Sequence, residues 1–171
     1  GQVFGLLGPN GAGKTTTMGM LLGLVRPTAG SVPLFGKELA QSPQNILRRV
    51  GAIVESPAFY PYLSGRDNLR YLQGIVGYNN STYIDHLLGK VGLADRADNE
   101  FRTYSLGMKQ RLGLAYSLLG DPELLILDEP TNGMDPAGMV EVRELIRQLG
   151  DDGCSVLLSS HLLHEVEEVC D

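Results

Sequence analysis

The residues with the clearest chemical potential form a glycine-rich loop near the start of the chain. Residues 8–15 read Gly-Pro-Asn-Gly-Ala-Gly-Lys-Thr, which is the GxxxxGK pattern, followed by Ser or Thr, of a phosphate-binding loop. Glycines let successive backbone N–H groups turn toward an anion, and a following helix presents its positive end to the same anion. Lys14 adds a cation for the outer phosphates, and Thr15 offers Mg²⁺ a hydroxyl ligand. The sequence therefore predicts that the chain binds a nucleoside triphosphate together with Mg²⁺.

The segments on either side of this loop are those that a phosphate-binding loop requires. The apolar run 3–7 precedes it, and the helical stretch 16–24 follows it. A glycine-rich turn with a chance lysine is the alternative interpretation, but it does not explain this order of strand, loop and helix. The predicted nucleotide-binding residues are Gly8, Pro9, Asn10, Gly11, Ala12, Gly13, Lys14, Thr15 and Thr16.

Two adjacent carboxylates follow a second apolar run. Residues 124–127 are Leu-Leu-Ile-Leu, and Asp128 and Glu129 come directly after them. In a parallel sheet this position places both carboxylates at the carboxyl edge, beside the phosphate loop. We expect Asp128 to hold Mg²⁺, directly or through water, and Glu129 to act as a general base toward an attacking water. A strand that simply ends in an acidic turn is the alternative interpretation.

Composition limits the classes of protein to which the chain can belong. The 171 residues suit one domain, and a hydrophobic content of 43% is enough for a substantial core. Fourteen Lys and Arg against twenty Asp and Glu give a net charge of -6, which argues against a broad basic surface for nucleic acid. No apolar run approaches the roughly 20 residues of a membrane-spanning helix. Cys154 and Cys170 lack metal-ligand spacing, so we expect reduced thiols that serve in packing.

Short β-type runs alternate with helical patterns, which is typical of an α/β fold with a parallel sheet. The predicted strands are residues 3–7, 50–54, 124–127 and 155–159. We expect residues 1–56 and 120–171 to form a catalytic core, and the strand-free residues 57–119 to form an inserted helical subdomain. Because residue 1 is Gly and the first strand begins almost at once, we expect a single domain that is truncated at both ends.

Several residues mark the predicted ends and faces of helices. Ser81 is expected to cap one helix, and Asp135 followed by Pro136 is expected to begin another. Gly150 is expected to end that second helix. Three glutamates near the carboxyl end are expected to form a solvated helix face: Glu165, Glu167 and Glu168.

A third motif connects the phosphate loop and the acidic pair to a known family. Residues 104–111 read Tyr-Ser-Leu-Gly-Met-Lys-Gln-Arg. With the other two motifs, this segment resembles the ATP-binding-cassette (ABC) ATPases, whose signature reads LSGGQ followed by a basic residue, Gln and another basic residue. The resemblance implies a P-loop NTPase fold with a parallel-sheet core. It covers nearly the whole chain, and Leu106 and Met108 depart from the signature, where the common pattern has Gly and Gln.

The resemblance implies that each nucleotide is shared between two domains. Ser105 and the Gly107 amide begin a predicted helix, whose positive end is an anion site. In the family, the anion is the outer phosphate of ATP that a second copy holds, so two domains close head to tail. Asp135 matches the aspartate of the loop at this seam. A serine that caps a core helix and an aspartate that caps the next one are the alternatives for Ser105 and Asp135.

Two further positions take their predicted roles from the family. His161 follows the last predicted strand and resembles the switch histidine, which implies contact with the outer phosphate and the attacking water. Glu55 stands where most members carry Gln, and we expect its carboxylate to contact Mg²⁺; a solvated loop glutamate is the alternative. The predicted catalytic residues are Glu129, His161 and Lys14. The predicted metal ligands are Thr15, Glu55 and Asp128.

Residues 50–60 and 104–108 are similar to the bacitracin-resistance and lantibiotic-immunity branch of ABC exporters. The resemblance implies an ATP-hydrolysing subunit that acts as a homodimer and drives a separately encoded membrane permease, exporting peptide antibiotics or other amphipathic compounds. It implies ATP and Mg²⁺ as ligands, no nucleic acid, and a cytoplasmic location on the inner face of the membrane. A groove for the permease is expected near residues 55–68, from Phe59, Tyr60, Tyr62 and Leu63.

Two other classes of function stay open at this point. One is a soluble ABC-type ATPase of the translation-factor or DNA-repair kind, which would need a tandem cassette or a long coiled coil. The other is a nucleotide-sensing binding module with weak turnover, which would lack a competent base.

Overall fold

The computed structural model describes residues 1–54, 58–76 and 80–170. Its strands are β1 (Val3–Leu7), β2 (Pro33–Leu34), β3 (Lys37–Glu38), β4 (Val50–Ile53), β5 (Leu124–Asp128) and β6 (Ser155–Ser160). Its α-helices are α1 (Lys14–Leu21), α2 (Pro43–Leu47), α3 (Gly65–Val76), α4 (Ser81–Lys90), α5 (Leu106–Ser117), α6 (Pro136–Asp151) and α7 (Leu163–Val169). Within these described ranges, no helix combines the length and the apolar character that crossing a membrane requires.

Four strands form one parallel sheet in the order β1-β6-β5-β4. All four end at the same edge, so the loops after β1, β5 and β6 are neighbours in space. The register places Leu7 beside Ser160 and Asp128 beside Ser159. The short strands β2 and β3 form a separate antiparallel hairpin. The predicted parallel α/β fold is therefore the one that forms.

The interior of the sheet explains the apolar run that ends in two acids. Leu125, Ile126 and Leu127 of β5 are completely buried, because β5 has a strand on each side. Helix α5 approaches the neighbouring strand β4 closely at Gly51, where a Cβ would lie 1.9 Å from the carbonyl oxygen of Ser117. Only glycine allows that approach without displacing the helix.

Three helices, α3, α4 and α5, pack together between β4 and β5 in the chain. Their contact is made by side chains that are at most 1% exposed, namely Leu69, Ile84, Leu88 and Leu112. The helical character predicted for this part of the sequence is present in the residues that the structure describes. The boundaries of a subdomain at residues 57 and 119 stay a prediction.

Two helix ends differ from the sequence prediction. The cap of α4 is Asn80 rather than Ser81, because Asn80 has an extended backbone and its side chain accepts a hydrogen bond from the Tyr83 N–H at 3.2 Å. Helix α6 continues past Gly150 to Asp151. Gly150 instead serves packing, since a Cβ there would lie 2.9 Å from Cγ2 of Val3.

Candidate nucleotide-binding and catalytic site

The loop after β1 has the backbone conformation that its glycines predict. Gly11 and Gly13 have φ values of +81° and +90°, in the left-handed region where a side chain is strained. The Ala12 N–H donates to the Pro9 carbonyl at 3.1 Å and closes the turn. Helix α1 begins at Lys14, directly after the loop. The loop surface is exposed at Pro9, Asn10, Gly11 and Ala12, and Thr15 and Thr16 are exposed in the first turn of α1.

Lys14 is the charged centre of the loop. Its side chain is only 7% exposed, and its Nζ donates to the carbonyl oxygens of Gly8 at 2.7 Å and Pro9 at 3.2 Å. The same Nζ lies 3.2 Å from Oε1 of Glu129. A buried ammonium group is costly unless oxygen atoms surround it, and these oxygens provide that environment. The lysine is therefore held between the phosphate loop and the carboxyl end of β5.

Thr15 and Asp128 meet beside the lysine. The Thr15 hydroxyl donates to Oδ2 of Asp128 at 2.6 Å, and the Ser159 hydroxyl donates to Oδ1 at 2.5 Å. The parallel register of β5 and β6 makes the second bond possible, because it sets Ser159 opposite Asp128. A hydroxyl and a carboxylate oxygen in contact are hard donors of the kind that Mg²⁺ prefers. Thr15 and Asp128 therefore fit a magnesium ion, which they would hold through the hydroxyl and the carboxylate.

Glu129 has an unusual backbone conformation. Its φ of +48° lies in the left-handed region, which is uncommon for a residue other than glycine. The Glu129 N–H donates to Oγ of Ser159 at 2.9 Å, and the Asn132 N–H donates to the Glu129 carbonyl at 3.1 Å. Such strain persists only where neighbours over-determine it, and it concentrates at functional sites.

His161 completes a line of three side chains. Its Nδ1 lies 2.8 Å from Oε2 of Glu129, while Oε1 of Glu129 faces Lys14. The imidazole is 32% exposed, and the carboxylate is 18% exposed. The structure thus brings together the three predicted catalytic residues, beside the Thr15–Asp128 pair.

The residues predicted to act on a second copy lie at the starts of α5 and α6. Ser105 caps α5 by accepting a hydrogen bond from the Met108 N–H at 3.2 Å, and it is exposed. A Cβ at Gly107 would lie 3.2 Å from Cε of Met134, so the start of α5 contacts the loop before α6. Asp135 is the exposed N-cap residue of α6, but its side chain makes no capping hydrogen bond.

Ser105, Gly107 and Asp135 together form the surface at the starts of α5 and α6. Among the residues that the structure describes, no hydrogen bond or ion pair joins it to Lys14, Asp128 or Glu129. The remaining predicted metal ligand, Glu55, lies outside the described residues.

Sequence reasoning missed a buried polar cluster behind the site, centred on Glu165. The expectation that Glu165 is solvated is wrong: the residue is 6% exposed, while Glu167 and Glu168 are exposed. Its carboxylate accepts hydrogen bonds from the hydroxyls of Thr131 at 2.8 Å and Ser160 at 2.6 Å. The spacing could have revealed this, because Val169 lies one helical turn further and is buried on the same face.

The pKa of Glu165 reflects this environment. Burial raises the pKa, but the hydrogen bonds from Ser160 and Thr131 and the positive charge of Arg143 outweigh burial. The pKa therefore lies below the usual value for glutamate, and the residue is anionic at neutral pH.

A cavity of about 940 Å³ lies elsewhere, between the end of α1 and the β2–β3 hairpin. None of the predicted site residues lines it. This is consistent with a phosphate loop that presents its N–H groups on an open surface rather than inside an enclosed cavity. We therefore locate the functional site at the loop and not at this cavity.

A phosphate loop between β1 and α1, an acidic pair after β5 and a parallel α/β sheet define a nucleotide-binding domain of the P-loop class. A model of the family described as ABC transporter matches residues 1–132. The chain belongs to the ABC transporter family, and the family predicted from the sequence motifs is confirmed.

Two curated relatives agree with the branch that the sequence predicts. The chain is 49% identical over 172 residues to the bacitracin transport ATP-binding protein BcrA of Bacillus licheniformis; the match covers 100% of this chain and 56% of the relative. It is 47% identical over 171 residues to the lantibiotic transport ATP-binding protein SrtF of Streptococcus pyogenes, covering 100% of this chain and 73% of the relative. The chain thus spans little more than half the length of the first relative.

A solved structure supports the fold. The protein cbiO1 from Clostridium perfringens, described as part of the ABC transporter complex cbiONQ, superimposes with a TM-score of 0.87 at 26% sequence identity. The match covers 99% of this chain and 71% of that chain. The predicted P-loop α/β fold is confirmed.

Proposed function

We propose that this chain is the ATP-binding and ATP-hydrolysing domain of an ABC transporter. The observation that carries the proposal is the line Lys14–Glu129–His161, set beside the Thr15–Asp128 pair at the mouth of the phosphate loop. These groups supply what cleavage of a terminal phosphate needs: an anion site, a metal site and a base. The proposed reaction converts ATP and water into ADP and phosphate.

The phosphate loop binds the triphosphate of ATP. Backbone N–H groups from Asn10 to Thr16 and the positive end of α1 face the phosphates. Lys14 exchanges its carbonyl partners, Gly8 and Pro9, for outer phosphate oxygens, which carry full negative charge. The same exchange loosens the ion pair between Lys14 and Glu129, so that triphosphate binding makes the carboxylate available as a base.

Thr15 and Asp128 are the residues that would hold Mg²⁺, and Glu55 is proposed as a further ligand. When bound, Mg²⁺ neutralises charge that develops on the phosphate oxygens. The protein contributes the hydroxyl and the carboxylate, which Ser159 holds in place through its hydrogen bond to Asp128.

Glu129 is the proposed general base. Its backbone has a strained φ of +48°, and His161 Nδ1 lies 2.8 Å from one of its carboxylate oxygens. The carboxylate accepts the proton of the attacking water as the water oxygen bonds to phosphorus and the bond to ADP breaks. His161 orients this carboxylate and faces the outer phosphate.

The exposed surface of Ser105, Gly107 and Asp135 is proposed to complete the ATP site of a second copy. Ser105 places a helix N-terminus at the surface, and Asp135 has a carboxylate that no capping bond occupies. We propose a head-to-tail homodimer in which each copy supplies these residues to the ATP of the other.

We propose coupling to a membrane permease, and the names of the relatives support this because they describe bacitracin and lantibiotic transport. We propose export of peptide antibiotics or similar amphipathic compounds, with the chain on the cytoplasmic face of the membrane. Residues 57–119 form the helical subdomain in this proposal, against a core of 1–56 and 120–171. Tyr60 and Tyr62 are 52% and 73% exposed and suit a contact with the permease, whereas Phe59 packs on Phe101 at a centroid distance of 5.1 Å.

Replacement of the base tests the proposed reaction. Glu129→Gln in the full-length protein should keep ATP affinity and lower phosphate release about 10²- to 10⁴-fold, which is the usual contribution of a general base. Glu144→Gln removes an exposed carboxylate from α6 and serves as the matched control, with unchanged turnover expected. Phosphate release that is equal in Glu129→Gln and in the unsubstituted protein would contradict the assignment of Glu129 as the general base.

A further inference from the structure

Two consecutive serines at the end of β6 point into two different polar clusters. Ser159 contacts the catalytic side: its hydroxyl donates to Asp128 and accepts from the Glu129 N–H. Ser160 contacts the opposite side, where its hydroxyl donates to Oε2 of Glu165 at 2.6 Å. Alternate residues of a strand face opposite sides of the sheet, so the end of β6 connects the reaction site to the buried glutamate.

Glu165 joins the two loops that carry the catalytic pair. Its Oε1 accepts from Thr131, which lies two residues after Glu129, and its Oε2 accepts from Ser160, which directly precedes His161. Both hydroxyl donors and the carboxylate are buried. One rigid carboxylate therefore sets the spacing between the backbone after Glu129 and the backbone before His161.

Arg143 holds the carboxylate in turn. Its Nη2 lies 3.5 Å from Oε1 of Glu165, and its Nη1 pairs with Glu168. Arg143 belongs to α6, whose first residue follows Asp135, so the cluster also includes the helix that begins at the proposed dimer surface. A buried carboxylate with two hydroxyl donors and a guanidinium partner is firmly oriented.

We propose that Glu165 is a positioning residue for ATP hydrolysis, which fixes the contact between Glu129 and His161 by tying their two loops together. This inference rests on the proposed function. Glu165 itself touches neither the phosphate loop nor any predicted metal ligand among the described residues. Its effect is on the rate of the chemical step and not on nucleotide affinity.

Substitutions of Glu165 that differ in length and charge test this link between the two loops, which consists of the hydrogen bonds from Thr131 and Ser160. Glu165→Ala removes the carboxylate that accepts both hydrogen bonds. Glu165→Asp keeps the charge but is one methylene too short to reach both hydroxyls. Both variants should lower kcat by about 10- to 100-fold, since displacements near 1 Å have effects of this size. Glu165→Gln keeps the length, and each hydroxyl can turn to meet an amide atom, so this variant should retain kcat within about threefold. ATP affinity should stay within about twofold in all of them.

The measurements are made on the full-length protein with its permease, and kcat is divided by the number of ATP sites measured by binding. Glu167→Gln, an exposed charge removal on the same helix, is the matched control and should leave kcat unchanged. Thr131→Val removes the hydrogen bond from Thr131 to Glu165 while keeping the shape of the side chain. This variant tests the proposal even if Glu165→Ala folds poorly. It should lower kcat less than Glu165→Asp does.

A double substitution separates positioning from support of the fold. In a protein that already carries His161→Ala, adding Glu165→Ala should lower kcat further by a factor of less than about three. The reason is that the contact between Glu129 and His161, which Glu165 is proposed to position, is already absent. The inference would be overturned if the losses of kcat in His161→Ala and Glu165→Ala multiplied fully in the double variant. It would also be overturned if kcat per ATP site were unchanged in Glu165→Ala and Glu165→Asp. If either of these results came together with the expected loss of phosphate release in Glu129→Gln, the proposed function would still stand. A Glu129→Gln variant with full turnover would overturn both.

Discussion

Ser159 offers a sharp test of how the site is held together. The side chain is completely buried, and its hydroxyl bonds to Asp128 and to the Glu129 backbone simultaneously. Ser159→Ala therefore removes the partner of one carboxylate oxygen and of one N–H group. Each buried group that loses its partner costs about 1–3 kcal/mol, so the free energy of unfolding should fall by roughly 2–6 kcal/mol.

Ser117→Ala is the matched control for this measurement. Ser117 is also buried, at 3% exposure, but its hydroxyl donates to the carbonyl of Leu114 in the same helix at 2.9 Å. That carbonyl still accepts from the Leu118 N–H at 3.1 Å when the hydroxyl is removed. The control should lose no more than about 1 kcal/mol, because no group is left unpaired.

Urea denaturation followed by circular dichroism gives the stability of both variants, and phosphate release gives their turnover. Ser159→Ala should also lower kcat by about 10- to 100-fold, since the strained backbone of Glu129 loses a partner that holds it. Equal losses of stability in Ser159→Ala and Ser117→Ala would refute the reasoning. The hydrogen bonds to Asp128 and Glu129 would then contribute nothing that an ordinary buried serine does not.

Two further predictions concern packing and pH. Gly51→Ala should lower the free energy of unfolding by about 3 kcal/mol or more, because its Cβ would lie 1.9 Å from the Ser117 carbonyl oxygen. Gly74→Ala in α3 is the matched control. A Cβ there meets nothing within 4 Å, so this variant should instead raise the free energy of unfolding by about 0.5–1 kcal/mol. Comparable losses in the two variants would contradict this account of the β4–α5 contact. The lowered pKa of Glu165 means that its anion stabilises the fold above the unfolded pKa, about 4.3, and that this contribution disappears as pH falls through the folded pKa. The stability difference between the unsubstituted protein and Glu165→Gln should accordingly be largest near neutral pH and shrink as the pH falls below the unfolded pKa in denaturation curves. A difference that is constant with pH would show that the charge of Glu165 is not involved.

The sequence was a good guide to the site where the chemistry is local. The phosphate loop needs backbone N–H groups, positive φ values and a helix start within eight consecutive residues, and these are properties that a short motif specifies. The position of Asp128 and Glu129 at the sheet edge followed from the apolar run before them. The sequence was a poor guide to Glu165, because a glutamate near two other glutamates is usually solvated.

The capping roles of single residues could be assigned only from the three-dimensional structure. The sequence left two roles open for Asp135, a helix cap and an aspartate at a dimer seam. The structure places Asp135 at the N-cap position of α6 with a side chain that makes no capping bond. The sequence analysis expected Ser81 to cap α4, and only the structure shows that the Asn80 side chain accepts from the Tyr83 N–H.

The sequence by itself determined the family, the P-loop fold and the types of group that meet a triphosphate, since contiguous motifs carry that information. The tertiary structure decided which groups hold one another. The register of β5 and β6 sets Ser159 against Asp128, and the packing of α7 turns Glu165 inward to Thr131 and Ser160. The Ser159–Asp128 and Thr131–Glu165 pairs join residues that lie 31 and 34 positions apart along the chain, and strand register and helix rotation fix them only when the whole core packs.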